Sequence, residues 1–132
     1  GSYVADQVVL HLAKRGRRIG GARVVLLGLT FKENVPDLRN TRVIDVVNRL
    51  EEYGAVADVV DPWADTVEAK REYGLSLVDL DHLDGTYDAA VLAVNHEQFS
   101  EIGPRLRELV GESGVIYDVK GCLPRDLVTG RL

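Results

Sequence analysis

The side chains able to do chemistry fall into four strings. The longest is Gly28-Leu29-Thr30-Phe31-Lys32-Glu33-Asn34-Val35-Pro36-Asp37-Leu38-Arg39-Asn40, and the others are Asp61-Pro62-Trp63, Asn95-His96-Glu97 and Asp118-Val119-Lys120-Gly121. Lys32 and Arg39 offer positive charge to a phosphate, Phe31 offers a ring, and Lys120 is placed to converge with them. Lys32 and Arg39 read equally well as solvated loop charges paired with Glu33 and Asp37. Asp61 has either the ribose-holding place at a strand end of dinucleotide folds or, before Pro62, the job of opening a turn. His96 has no nucleophile or metal partner near it in the sequence and reads as a structural or surface residue, while His11 and His82 are expected on the surface. Asp118 is expected to order the turn into Lys120, and Trp63 to cover a loop. Cys122, the one cysteine, has no neighbour that lowers its pKa, so no catalytic residue and no metal site is assigned.

These strings follow apolar runs. Ala22 to Leu29, Val56 to Val60, Tyr87 to Val94 and Val115 to Val119 read as strands, with Leu75 to Val78 as a short fifth. The first and third are continuous rather than alternating, which suits strands covered on both faces of a parallel sheet. Helices are predicted over 3–15, from Asn40-Thr41 to Gly54, over 64–73, and around 99–110, where Gly103-Pro104 starts or kinks the last. Strands alternating with helices imply a Rossmann-like α/β three-layer sandwich, with an open, mostly parallel sheet of about five strands. The first strand belongs at its centre, beside the reversal of strand order. Ligands bind such sheets beyond the carboxyl ends of the strands, where all four strings lie. The opposite edge carries turn residues such as Gly21-Ala22, Gly54-Ala55 and Gly114. The loop after the first strand is long for an α/β turn and leads into a capped helix whose N-terminus favours anions. It lacks G-x-G-x-x-G, so a free-standing dinucleotide site of the usual kind is not expected.

The chain has 132 residues, 45% of them hydrophobic and 28% charged, with a formal net charge of −5. This predicts one soluble domain able to hold a core without disulfides or a structural metal. The acidic balance, without a long basic run, argues against nucleic acid as a partner. No apolar run approaches the ~18 to 20 residues of a membrane span, and the N-terminus has no signal-peptide pattern. The expected partners therefore include neither nucleic acid nor membrane, and the expected compartment is the reducing cytoplasm.

Taken in order, Gly28 to Asn34, Pro36 to Thr41, Asp61-Pro62-Trp63-Ala64-Asp65 and Asp118 to Gly121 resemble the C-terminal, UDP-binding domain of the UDP-glucose/GDP-mannose dehydrogenase family. The likeness is closest to UDP-N-acetyl-hexosamine 6-dehydrogenases and spans nearly the whole chain. It implies that residues 1–18 are the end of a central linker helix and 19–132 a nucleotide-sugar-binding domain. It implies contacts of Phe31, Lys32 and Lys120 with a UDP-sugar, and of Arg39 with NAD, a cofactor held mainly by an N-terminal domain. The implied reaction is two successive NAD-dependent oxidations of the sugar's C6 alcohol to a carboxylate through a thioester. The full-length enzyme would be a homodimer. The family's catalytic cysteine motif does not occur in these residues, so this chain would bind and close over substrate and be inactive alone.

Two other classes compete. A signalling receiver needs paired acids after the first strand and an acceptor Asp ending the third, whereas Gly28-Leu29-Thr30 follows the first and no such Asp ends the third. An interaction module would use the Val4, Val8 and Leu12 stripe of the first helix to dock a partner. UDP binding at the Lys32 and Lys120 loops distinguishes the first reading from both.

Overall fold

β1 (Arg23–Leu27), β2 (Val56–Val60), β3 (Ala89–Leu92), β4 (Val115–Asp118) and β5 (Gly130–Arg131) form one sheet in the order β2-β1-β3-β4-β5. The computed structural model describes residues 2–132. Gly1, the first residue of the expected linker-helix end, lies outside the described residues. Every pairing is parallel, with Val24 of β1 level with Ala57 of β2 and Ala89 of β3. β1 lies beside the reversal of winding, between β1 and β3, as expected, but the middle strand is β3: β1 is second from the edge, because only β2 is added on its other side.

The unbroken apolar runs follow from burial on two faces. Val24 and Leu26 join Val59, Val91 and Tyr117 beneath α1 (Ser2–Lys14), α2 (Val43–Glu52) and the buried Ala69 of α3 (Thr66–Tyr73). Val25 and Leu27 join Val60, Leu92 and Ile116 beneath α4 (Gly103–Val110). α1 buries Val4, Ala5, Val8 and Leu12 against α2 and β4, so its stripe has a partner within the chain. Asp6 ties the two helices together, accepting hydrogen bonds from Arg49 Nε at 3.0 Å and the Tyr53 hydroxyl at 2.7 Å.

Three further sequence expectations need correction. Leu75 to Val78 is not a strand. It makes one ladder-like bond, Val78 N–H to the Val59 carbonyl at 2.8 Å, while Leu75 and Leu77 pack along the flank of the core instead of extending the sheet. The fifth strand is β5, whose two residues carry no periodic signal. The predicted 99–110 helix is a 3-10 turn at Glu97–Phe99 followed by α4, which begins at Gly103 because Pro104 suits the first helical turn. His11, expected on the surface, is half-buried over β5, where a Cβ on Gly130 would lie 2.6 Å from its Nε2. A side chain at residue 130 would therefore have to displace the His11 ring, which lies over β5.

Because Leu12 is fully buried and Leu10 is 43% exposed, they separate packing from hydrophobicity on the same helix. Leu12→Ala is expected to lower unfolding free energy by about 2–5 kcal/mol in urea titrations. Leu10→Ala is expected to change it by about 0.5 kcal/mol or less.

Candidate functional site

Residues 28–42 connect β1 to α2 across the carboxyl edge of the sheet. The turn out of β1 is possible because residue 28 is glycine: its φ is 104°, and a Cβ would lie 2.5 Å from Val94 Cβ and 2.7 Å from Val94 N. Within the loop, Phe31 N–H donates to the Asp37 carbonyl at 2.8 Å. At its far end the buried Thr41 hydroxyl donates to the Leu29 carbonyl and accepts from the N–H of Val43, the first residue of α2, at 3.2 Å, closing the loop on itself; the N-cap position itself is Arg42, without a side-chain cap bond. Tyr73 of α3 adds a hydroxyl bond to the Leu38 carbonyl at 2.6 Å.

The loop is held from below by Asp61, whose side chain is wholly buried at the end of β2. Its Oδ2 accepts from Leu29 N–H at 2.6 Å, Thr30 N–H at 2.9 Å and His96 Nε2 at 2.9 Å. Its Oδ1 accepts from Trp63 N–H at 2.8 Å and Ala64 N–H at 3.0 Å. Burial alone pushes a carboxyl pKa up. Here the His96 hydrogen bond and the Leu29 and Thr30 N–H groups outweigh burial, and the net shift is downward. Asp61 thus opens a turn, the plainer of its two sequence readings, and its lone pairs are already spent. His96 is buried at its side, with the Trp63 ring centroid 6.4 Å away, so Trp63 covers this loop junction.

Asp118 does the same work at the end of β4. Its buried carboxylate accepts from Lys120, Gly121 and Leu123 N–H at 3.1, 2.9 and 2.8 Å, which bends the chain so that Lys120 stands at the edge, as expected. Cys122 is exposed, and desolvation together with the Asp118 carboxylate pushes its thiol up, the reverse of what a nucleophile needs. Among the described residues no group of three or more His, Cys, Asp or Glu side chains is placed to hold a metal ion.

A cleft of about 290 Å³ opens beside the loop, between the start of α1, the start of α2 and the ends of β3 and β4. Phe31, Arg42 and Lys120 line it together with Thr30, Val94 and Val119. Phe31 is 50% exposed there. Lys32 and Arg39 are exposed and are not among the lining residues. Arg39 is 84% exposed and pairs with Asp37 at 3.1 Å, and its side chain and backbone N–H hold the Asp37 carboxyl below its ordinary value. Arg42 is the lining residue that sequence reasoning missed. Its signal was a basic residue at the N-terminus of α2, the end of a helix that faces the carboxyl edge.

The two edges of the sheet differ in charge as well as shape. At the amino edge Arg17 pairs with Asp88 at 2.7 Å, and Arg23 with Asp84 at 3.3 Å and Asp58 at 3.6 Å. Lys32, Arg42 and Lys120 take part in none of the ion pairs among the described residues. Uncommitted cations and an exposed aromatic ring at the carboxyl edge of an all-parallel, centrally reversed sheet define a Rossmann-like ligand-binding domain. Comparison with known proteins carries this further: the family model for the UDP binding domain of the UDP-glucose/GDP-mannose dehydrogenase family matches residues 25–125, and the chain belongs to that family. It is similar to a UDP-N-acetyl-D-glucosamine 6-dehydrogenase of Pseudomonas aeruginosa, 46% identical over 127 residues, covering 96% of this chain and 30% of that protein. A protein of the same description from Salmonella typhi is 42% identical over 133 residues, covering 100% of this chain and 31% of that protein. The chain thus spans about three tenths of the length of these curated relatives. The crystal structure of NDP-N-acetyl-D-galactosaminuronic acid dehydrogenase from Methanosarcina mazei Go1 shares the fold, with a TM-score of 0.82 at 21% identity over 97% of this chain and 28% of that one.

The depressed Asp61 pKa sets an acid limit on the site. A carboxyl whose folded pKa lies below its unfolded one contributes its full stabilisation above the unfolded value, about pH 4, and loses it as pH falls through the folded value. Asp61→Asn is expected to lower stability near pH 7 by about 3 kcal/mol, because it strands buried N–H donors. The variant's stability is also expected to fall less than the wild type's between about pH 5 and pH 2, measured by urea unfolding across that range.

Proposed function

We propose that this chain is the part of an NAD-dependent UDP-sugar 6-dehydrogenase that binds the nucleotide sugar and closes over it, with a UDP-N-acetyl-hexosamine as the substrate. The observation that carries this reading is the convergence of Phe31, Arg42 and Lys120 on one cleft at the carboxyl edge, with no carboxylate paired to either cation. A ring face and two free cations suit a base and a diphosphate. Lys32, next to Phe31 and exposed, is within the same loop and is proposed as a further substrate contact. The cleft is at the small end of the roughly 300–1,000 Å³ that ligand pockets span, so it takes part of a nucleotide sugar and leaves the remainder to be covered by another body.

The residues present do not fit a whole dinucleotide. Gly28 is packed against Val94, leaving no backbone approach for a pyrophosphate, and Asp61 has no acceptor free for a ribose. NAD is therefore proposed to be bound mainly outside these residues, with Arg39 contributing at most a surface contact, for which it would leave Asp37. In the same reading residues 1–18 are the end of a central linker helix, 19–132 are the nucleotide-sugar domain, the whole enzyme is a cytoplasmic homodimer, and neither nucleic acid nor membrane is a partner. The chain's share of catalysis is orientation: contacts to the remote UDP hold the sugar's reacting carbon where another part of the enzyme acts on it.

The chain alone is expected to bind UDP and to make no NADH when mixed with NAD and a UDP-sugar. Amide-shift titrations should locate UDP at the Phe31 and Lys120 loops. Lys120→Ala and Lys32→Ala are each expected to weaken UDP binding by up to about 10-fold, and Lys70→Ala, on the exposed face of α3, to leave it unchanged. Equal effects of all three substitutions would return Lys32 and Lys120 to solvated loop charges.

A further inference from the structure

The grip of His96 on the Phe31 loop has no part in the reading above, though it bears on it. His96 lies just past β3, 66 residues from Thr30 in sequence, yet its two ring nitrogens hold the residues that flank Phe31-Lys32-Glu33. Nδ1 accepts from Asn34 N–H at 2.9 Å. A backbone N–H can only donate, so Nδ1 bears no proton and Nε2 bears one. That Nε2–H faces two acceptors, Asp61 Oδ2 at 2.9 Å and Thr30 Oγ1 at 3.1 Å. The Thr30 hydroxyl spends its own proton on the Lys32 carbonyl at 3.0 Å, which leaves its oxygen free to accept. Every donor and acceptor role in this circuit is therefore determined. A return link closes it: the Asn34 side-chain oxygen accepts from Glu97 N–H at 2.8 Å, and Asn34 itself has φ of 56°, the left-handed turn that brings the loop back to His96.

We propose that His96 is a positioning residue that sets the conformation of Thr30 to Asn34, and through it presents Phe31 and Lys32 to the nucleotide. The ligand part of this inference rests on the UDP-binding reading above; the loop part does not. Any fully buried histidine must satisfy both ring nitrogens, so what sets this one apart is where its partners lie: on Thr30 and Asn34, the two ends of one loop segment, and on the carboxylate beneath it. This one is fully buried, has both nitrogens engaged across one five-residue segment, and shares its proton with the carboxylate that anchors the same segment from β2.

The two grips can be cut separately in the 132-residue chain. In His96→Gln the amide nitrogen can take the place of Nε2, keeping the Asp61 and Thr30 contacts and losing the acceptor for Asn34. In His96→Asn the amide oxygen can take the place of Nδ1, with the opposite loss. Hydrogen exchange of the Thr30, Phe31 and Asn34 amides and UDP titration by amide shifts are read on both variants, beside Leu106→Ala as a core variant on the far face of the sheet. The proposal expects H96Q to speed exchange at Asn34 and H96N at Thr30, with UDP binding weakened about 5-fold or more in both and unchanged in L106A despite its lower thermal stability. Loop exchange that follows only global stability, as in L106A, would overturn the proposal. Faster loop exchange with unaltered UDP affinity would overturn its ligand part. Absence of UDP binding by the wild type would sink the UDP reading instead, and the exchange pattern would still decide whether His96 positions the loop.

Discussion

A charged carboxylate inside a protein persists only if its lone pairs are met, and at the carboxyl edge of this sheet that requirement organises the loops. Asp61 gathers donors from the end of β1, from its own turn after β2 and from the loop after β3. Three segments far apart in sequence are thereby fixed relative to one another by one side chain, and none can shift without stranding a buried donor. The cost of burying the charge is offset only when all the partners are present, so the arrangement is all-or-none. It gives a long irregular loop the rigidity that a strand obtains from its neighbours.

Asp118 repeats the device three strands along the sheet, on a smaller scale, and the pair explains how an edge built from loops can hold a binding surface. Each aspartate sits on the last turn of a buried strand, takes its charge out of the ligand's reach and spends it on backbone N–H groups. Of the cations in the same loops, Arg39 is answered by Asp37, while Lys32, Arg42 and Lys120 take part in no ion pair among the described residues. At the amino edge Arg17 and Arg23 are answered by Asp88, Asp84 and Asp58, and Arg18 is the cation there that takes part in no ion pair among the described residues. Segregating acid inward and base outward makes one edge attractive to an anion while the whole chain carries a net charge of −5.

The helix α1 shows how the same fold combines burial with connection. Its apolar stripe is fully used against α2 and β4, and the close approach of His11 to Gly130 lets the last strand of the sheet slide beneath it. The start of this helix also lines the cleft through Val4. A displacement of α1 along its axis would therefore be felt at the cleft wall as well as in the core.

The order of the main elements, the parallel sheet, the place of β1 beside the reversal and the edge that carries chemistry were legible in the sequence, because burial on two faces and helix stops leave periodic and local traces. So was the likeness of the loop strings to a dehydrogenase family. Local pattern did not reveal β5, too short to have a period, or the loss of Leu75 to Val78 from the sheet, which depends on where its side chains find cover. Nor did it reveal that Asp61 and His96, 35 residues apart, share a proton, or that Arg42 faces the cleft while Arg39 turns to Asp37. These are contacts between loops whose mutual placement exists only once the sheet has assembled. Residue type and spacing determined what chemistry the edge has available, and tertiary structure decided which groups are consumed in holding it together and which are left for a ligand.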